Sequence, residues 1–285
     1  MNKSSDLNEI FPIRLSESAY RRIRNYVHEH SGIDLTEQKK TLIVGRLQKL
    51  LRARGFKTFE QYCAYLEADR TGQEYEELIN RIATNHTYFY RENIHFDFFI
   101  AKVLPEATKE LKKNNSNDLR FWCAGCSSGE EPYMMVMLMM EYFGNEYFMW
   151  NAGVLATDIS TKALSEAIKG VYPDERLNQM PSVFKHKYFQ KIGNNAWAVN
   201  DRVKKEVTFR RFNLMSSSFP FKKQFHAIFC RNVMIYFDQE TRNRLVQKLY
   251  DITKPGGYLF VGHSESLGRD RIPYRYVMPA VYQKI

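Results

Sequence analysis

The segment Leu119-Arg-Phe-Trp-Cys-Ala-Gly-Cys-Ser-Ser-Gly-Glu-Glu-Pro132 constrains the fold more than any other stretch of the chain. An apolar run gives way to small residues, then to two carboxylates and a proline, directly ahead of the apolar Tyr133–Tyr142. This order reads as a strand, a tight turn and a helix start. Gly125 and Gly129 carry no Cβ, so the backbone can turn sharply and a ligand can come close. Pro132 suits the first helical turn, where its missing N–H is not needed. The unpaired N–H groups there would face whatever occupies the turn. The first expectation is therefore a nucleotide-type ligand at the C-terminal end of a parallel strand.

A chain of 285 residues can bury a full core in one large domain or two smaller ones. With 44% hydrophobic and 26% charged residues, extensive disorder is excluded. The longest apolar run, Met134–Met140, is far short of the roughly 18–20 residues of a membrane span. Met1–Glu9 has no apolar core of a signal peptide. The cysteines, Cys63, Cys123, Cys126 and Cys230, suggest a reducing compartment, so a cytoplasmic protein without membrane insertion is expected. The net charge of +10 favours an anionic partner. No zinc-finger spacing, RNP-like strand or polybasic block argues for nucleic acid.

The first third of the chain reads as helices. Ser16–His30 places Tyr20, Ile23, Val27 and His30 on one face, with Gly32 as a stop. Asp34 and Glu37 form a capping-box-like start for a second helix, whose buried stripe is Leu42, Ile43, Leu47, Leu50 and Leu51. Thr58 and Gln61 open a third, and Tyr75, Leu78, Ile79 and Ile82 mark a fourth. Lys39, Arg46, Lys49 and Arg52 form a basic edge beside the second helix's stripe, either a solvated face or a docking surface for an acidic helix. Thr84–Arg91 fits neither period, and a further helix resumes at Phe96.

Beyond the opening segment, strands and helices alternate. The second strand, Ala152–Thr157, ends at Asp158, where a ribose hydroxyl pair is usually held. After a helix at Ser160–Lys169, Gly170–Lys187 reads as irregular, and Gly193-Asn-Asn195 between two short apolar runs reads as a hairpin inserted into the alternation. Strands follow at Val207–Phe212, Phe225–Cys230 and Tyr258–Val261, with a helix at Gln239–Thr253 stopped by Lys254-Pro-Gly-Gly257. Tyr274–Val277 and Ala280–Gln283 read as a closing antiparallel pair.

This order resembles the class I S-adenosylmethionine-dependent methyltransferase fold, Rossmann-like α/β, with a small antiparallel β insertion and an all-helical N-terminal domain. Five blocks sharpen the match: Thr84–Glu92, Ser128–Tyr133, Ala156–Ile159, Phe229-Cys-Arg-Asn-Val-Met-Ile-Tyr-Phe237 and Gly262-His-Ser-Glu265. They resemble the chemotaxis receptor methyltransferases, the CheR family, from about Leu15 to the C-terminus. The expected domains are 1–88, helical and receptor-docking, and 89–285, the methyltransferase domain with its insertion near 172–204.

The resemblance implies methyl transfer from S-adenosylmethionine to glutamate side chains on the cytoplasmic helices of transmembrane chemoreceptors. The products would be glutamate methyl esters and S-adenosylhomocysteine, with no metal. It implies cofactor contacts at Asn85, Thr87, Arg91, Glu131, Asp158, Asn213, Leu214, Arg231 and Asn232. Arg91 and Tyr236 would border the reacting methyl group. Because receptor methylation helices are acidic, it also favours docking at Arg46, Lys49 and Arg52. Members that tether to a receptor's C-terminal peptide tend to carry a longer, glycine-rich loop in the insertion. The tip Ile192-Gly-Asn-Asn195 is short, so independence of such a tether is expected.

Other readings are weaker. Cys123-Ala-Gly-Cys126 matches C-x-x-C, but no second pair or His pair accompanies it, so small structural residues are expected. Gly262-His-Ser-Glu-Ser266 lacks the final glycine of a nucleophile elbow. A nicotinamide dehydrogenase would need a fuller Gly-x-Gly-x-x-Gly. A methyltransferase acting on another acidic protein, or a non-catalytic S-adenosylmethionine-binding module, are the remaining alternatives.

Overall fold

The computed structural model describes residues 12–267 and 274–285. Met1–Glu9, expected to lack a leader, lies outside them. The chain divides into two compact units, Met1–Thr84 and Asn85–Ile285.

In the first unit, helix α1 (Glu17–Ser31) starts where the Ser16 side chain accepts from the Ala19 N–H and stops at Gly32, whose φ of 71° is the left-handed stop anticipated from the sequence. Helix α2 (Lys40–Ala53) departs from expectation at its start. A 3-10 turn, Glu37–Lys39, precedes it, and no side chain caps that turn. Asp34 is drawn away from a capping role because its Oδ1 accepts from Arg24 Nη2 at 3.0 Å. Helix α3 (Phe59–Ala68) is capped by Thr58, as its sequence suggests, and helix α4 is Gln73–Ile82. Their apolar stripes bury Tyr20, Ile23, Val27, Ile43, Leu47, Tyr62 and Leu78 in one core.

The second unit opens with α5 (Ile94–Phe98), a π-helical turn at Phe99–Val103, and α6 (Leu104–Lys113). Alternation follows: β1 (Asp118–Ala124), α7 (Glu130–Phe143), β2 (Asn151–Asp158) and α8 (Thr161–Lys169). The insertion comes next, with β3 (Val171–Pro173), α9 (Ser182–Tyr188), β4 (Phe189–Lys191), β5 (Ala196–Val199) and α10 (Asp201–Lys204). The chain then returns through β6 (Val207–Arg211), β7 (Phe225–Phe229), α11 (Gln239–Ile252), β8 (Thr253–Phe260), β9 (Tyr274–Met278) and β10 (Val281–Lys284).

Among the described residues, seven strands form one sheet in the order β6-β2-β1-β7-β8-β10-β9. All neighbours are parallel except β10, which runs antiparallel to both β8 and β9. This is the doubly wound sheet with an antiparallel closing pair expected of the class I methyltransferase fold. Helix α7 is buried almost all round, from Pro132 to Met140, which explains its methionine-rich composition as core filling. Among the described residues, no helix is long and apolar enough to cross a membrane.

Two expectations need correction. Gly170–Lys187 is not irregular: it holds β3, a 3-10 turn at Asp174–Leu177 and most of α9. The hairpin β4–β5 is therefore part of a three-stranded sheet in the order β3-β5-β4. The strand expected at Tyr258–Val261 starts earlier: α11 does end before Lys254-Pro-Gly-Gly257, at Ile252, but these residues already belong to β8, where the ladder to β7 shifts register.

Candidate active site

The sheet order reverses at β1, which pairs with β2 on one side and β7 on the other. In open α/β sheets the crevice at such a switch point, beyond the carboxyl ends of the strands, is where ligands bind. Four sequence-predicted groups fall on that edge: the glycine turn after β1, Asp158 at the end of β2, Asn213-Leu214 after β6, and Arg231-Asn232 after β7.

The turn is built by backbone geometry. Gly125 (φ 90°), Ser127 (φ 49°) and Gly129 (φ 94°) adopt left-handed conformations. A Cβ on Gly125 would stand 2.4 Å from Val233 Cγ2, so the residue must be glycine for space as well as for φ. Asp158 fastens the turn: its carboxylate accepts from the backbone N–H of Ser127 (2.8 Å) and of Ser160 (2.9 Å). Burial raises its pKa, against the opposing pull of these N–H donors.

Arg231 is the centre of charge. Its side chain is 2% exposed, and it donates from Nη1 to Glu131 Oε2 (2.6 Å) and from Nη2 to Glu92 Oε2 (3.0 Å). Nη2 also donates to the Arg91 carbonyl, and the guanidinium lies 5.4 Å from the Phe96 ring. Glu92 Oε1 accepts from Asn232 Nδ2 at 3.3 Å. Burial acts to raise the Glu92 pKa, but the Arg231 charge and these hydrogen bonds hold it below the ordinary value. The left-handed Asn232 (φ 58°) is fixed from below by Glu265. That buried carboxylate accepts from the N–H groups of Asn232 (2.7 Å), Ile235 (3.1 Å) and Gly262.

Asn85–Arg91 belongs with the larger unit, which places the division after residue 84 where 88 was expected. The cause is local: Thr87 O accepts from Arg176 Nη1, and Phe89 N donates to Arg176 O at 3.1 Å. Asn85 and Thr87 are half-buried. Arg91 donates from Nη1 to the His86 carbonyl (2.8 Å), so its backbone, not its guanidinium, meets Arg231. Tyr236, half-buried, closes the 3-10 turn Met234–Tyr236 after β7. Asn213 Oδ1 accepts from Met215 N (2.9 Å), beside the buried Leu214.

Sequence reasoning missed Glu92, Glu130, Arg176 and Glu265 as members of this network. Three of these, Glu92, Glu130 and Glu265, lie inside the motif blocks quoted above, and a carboxylate within such a block was the available signal. Arg176, in a segment read as irregular, gave none.

Cys123 and Cys126 are free and buried. Burial pushes both thiols well above their ordinary pKa, which disfavours the thiolate form and agrees with small structural residues. Among the described residues, Glu92, His95 and His263 bring ligand atoms within 4.8 Å of one another. Glu92 is already committed there to Arg231 and Asn232.

A basic helix edge was the other expectation. Lys49 and Arg52 are exposed. Arg46 instead donates from Nη1 to the carbonyls of Ile82 (2.6 Å) and Ala83 (3.0 Å), satisfying the C-terminal end of α4.

The donor set fits S-adenosylmethionine. Carboxylates at Asp158 and Glu131 suit hydroxyl and ammonium groups, and a buried cation suits a carboxylate. Ser127 Oγ and Arg231 Nε are buried without a partner, leaving polar capacity at the turn and beside the arginine.

Comparison with known proteins agrees. The family model described as CheR methyltransferase, SAM binding domain matches residues 85–281, and that described as CheR methyltransferase, all-alpha domain matches residues 18–83. A chemotaxis protein methyltransferase of Borreliella burgdorferi is 43% identical over 95% of this chain and 96% of its own length. The chemotaxis protein methyltransferase of Escherichia coli is 34% identical over 89% of this chain and 86% of its own. A probable chemotaxis protein methyltransferase of Rhizobium etli is 34% identical over 84% and 89%. The chain belongs to the CheR family of S-adenosylmethionine-dependent chemotaxis methyltransferases.

Proposed function

We propose that the protein methylates glutamate side chains on the cytoplasmic helices of chemoreceptors, yielding glutamate 5-O-methyl esters and S-adenosylhomocysteine during chemotactic adaptation. The observation that carries this reading is the buried Arg231 held between Glu131 and Glu92 at the sheet's switch point, in a chain of this family. S-adenosylmethionine, when bound, supplies a methyl group activated by its sulfonium. Asn85, Thr87, Arg91, Glu131, Asp158, Asn213, Leu214, Arg231 and Asn232 would hold it.

A glutamate acceptor, with a reference pKa of about 4.3, is already ionised at neutral pH. No general base is needed, and the chain's task is to orient a carboxylate in line with the methyl group and to exclude water. Arg91 and Tyr236 would do this by charge and hydrogen bonding. Lys49 and Arg52 would attract an acidic receptor helix, with Arg46 more occupied structurally. The short β4–β5 tip, Ile192–Asn195, supports independence of a receptor-tail tether.

Calorimetry tests the cofactor assignment: S-adenosylmethionine and S-adenosylhomocysteine should bind, and NAD should not. Binding of neither sulfur compound would defeat the reading. Binding of a receptor C-terminal peptide at micromolar strength would defeat tether independence alone. Activity should survive exhaustive dialysis against EDTA, and a loss restored by a divalent cation would overturn the metal-free assignment.

A further inference from the structure

The β insertion of this chain has a short tip, and under the reading above no tether peptide occupies it. Its side chains nevertheless grip the cofactor-facing segment. Arg176, in the turn after β3, donates from one nitrogen, Nη1, to Glu130 Oε1 (3.0 Å) and to the carbonyl of Thr87. Its own carbonyl accepts from Phe89 N at 3.1 Å. Phe89, fully buried, stands edge-on to two rings of the insertion, Tyr172 (4.9 Å) and Phe189 (5.2 Å).

Glu130 is the other half of the clamp. It is 0% exposed, and Ser128 Oγ donates to its carboxylate at 2.8 and 3.1 Å. Tyr172 Oη donates to the Ser128 carbonyl at 2.6 Å, which ties β3 to the glycine turn itself. Arg176 therefore joins the start of α7 to Thr87-Tyr-Phe89, and Tyr172 joins the same insertion to the glycine turn. None of these groups reaches Arg231, which is held separately by Glu131 and Glu92.

We infer that Arg176 and Glu130 are positioning residues for S-adenosylmethionine: the β insertion sets the distance between the glycine turn and the Asn85–Arg91 segment, and so sets cofactor affinity. The inference rests on the cofactor assignment proposed above. It gives the insertion a role inside the enzyme that needs no external ligand. A buried carboxylate that loses its paired cation becomes an unpaired charge, so Arg176→Ala should open the clamp. A lysine keeps a charge near Glu130 but, on a flexible stem, holds its ammonium less rigidly than the planar guanidinium holds Nη1, so it restores the two bonds only in part.

The test is calorimetric and kinetic, on the full chain. In Arg176→Ala the dissociation constant for S-adenosylhomocysteine and the KM for S-adenosylmethionine should rise about tenfold or more, as expected for loss of hydrogen bonds to a charged group. The kcat at saturating cofactor and the KM for a receptor cytoplasmic fragment should change less than threefold. Arg176→Lys should fold with a wild-type melting temperature and recover part of the affinity. Cofactor affinity unchanged in both variants would overturn the inference. So would equal falls in kcat and in affinity for both substrates, which mark general misfolding. Failure of the wild-type protein to bind either sulfur compound would instead sink the cofactor assignment, and the two failures are thereby separated.

Discussion

Arg231 Nη1 lies 2.6 Å from Glu131 Oε2, and this bond joins the end of β7 to the first turn of α7 across the sheet's switch point. The same guanidinium holds Glu92. A buried cation that serves two carboxylates leaves both uncompensated when it is removed.

Arg231→Ala should therefore cost stability as well as ligand. Breaking a buried pair from one side typically costs about 3–5 kcal/mol. Urea denaturation should show a fall of that order, with S-adenosylhomocysteine binding abolished. A variant of wild-type stability would mean that Glu92 and Glu131 are satisfied by other groups.

Glu265 shapes the loop that presents Arg231 and Asn232. Its carboxylate accepts N–H donors from Asn232, Ile235 and Gly262, so Glu265→Gln turns an acceptor toward a donor role at one of them. The expected loss is about 1–3 kcal/mol of stability, with weaker cofactor binding. Thermal melts and calorimetry on the same preparation measure both. Unchanged values would remove Glu265 from the account.

The glycine turn can be tested by space alone. A Cβ at Gly125 meets Val233 Cγ2 at 2.4 Å, on a backbone with φ of 90°. Gly125→Ala should destabilise by more than about 1 kcal/mol. Adding Val233→Ala should recover the steric part and leave the backbone strain. A full recovery would show that φ contributes nothing, and no recovery that the contact contributes nothing.

His226 predicts a pH dependence. It is buried, its Nδ1 accepts from Arg120 N at 3.0 Å, and burial, with Lys254 nearby, lowers its pKa to about 4. The unfolded chain, with a histidine pKa near 6.5, then binds more protons between these values. Its contribution to stability is complete above about 6.5 and is lost as the pH falls toward 4, on the order of 3 kcal/mol. His226→Asn, whose amide oxygen can replace Nδ1 as acceptor, should remove that part of the slope. Identical pH profiles for the two proteins would contradict it.

The parts of the fold that local rules govern were readable. Ser16 and Thr58 cap their helices, Gly32 stops one, and the strand–turn–helix at Leu119–Pro132 stands where its composition puts it. Asp158 is at a strand end because acidic residues there have a place in a nucleotide fold. What could not be read is governed by distance along the chain. Arg176 meets Thr87 and Glu130, and Arg231 meets Glu92, across separations that no window of sequence spans. Asp34 could have capped α2, but Arg24 took its carboxylate. Arg46 carried the right charge for docking, yet the open carbonyls at the end of α4 claimed it. Periodicity also missed β3, a strand of three residues between a glycine stop and a 3-10 turn.

The central claim is methyl transfer to glutamate, and alkali tests it most directly. The protein is incubated with methyl-labelled S-adenosylmethionine and a chemoreceptor cytoplasmic fragment, and the labelled fragment is then treated with base. Carboxyl methyl esters release their label as volatile methanol, whereas methyl groups on nitrogen or sulfur do not. The account predicts incorporation into the fragment that is wholly base-labile and maps to glutamate. Absence of incorporation, or label that survives base, would contradict it.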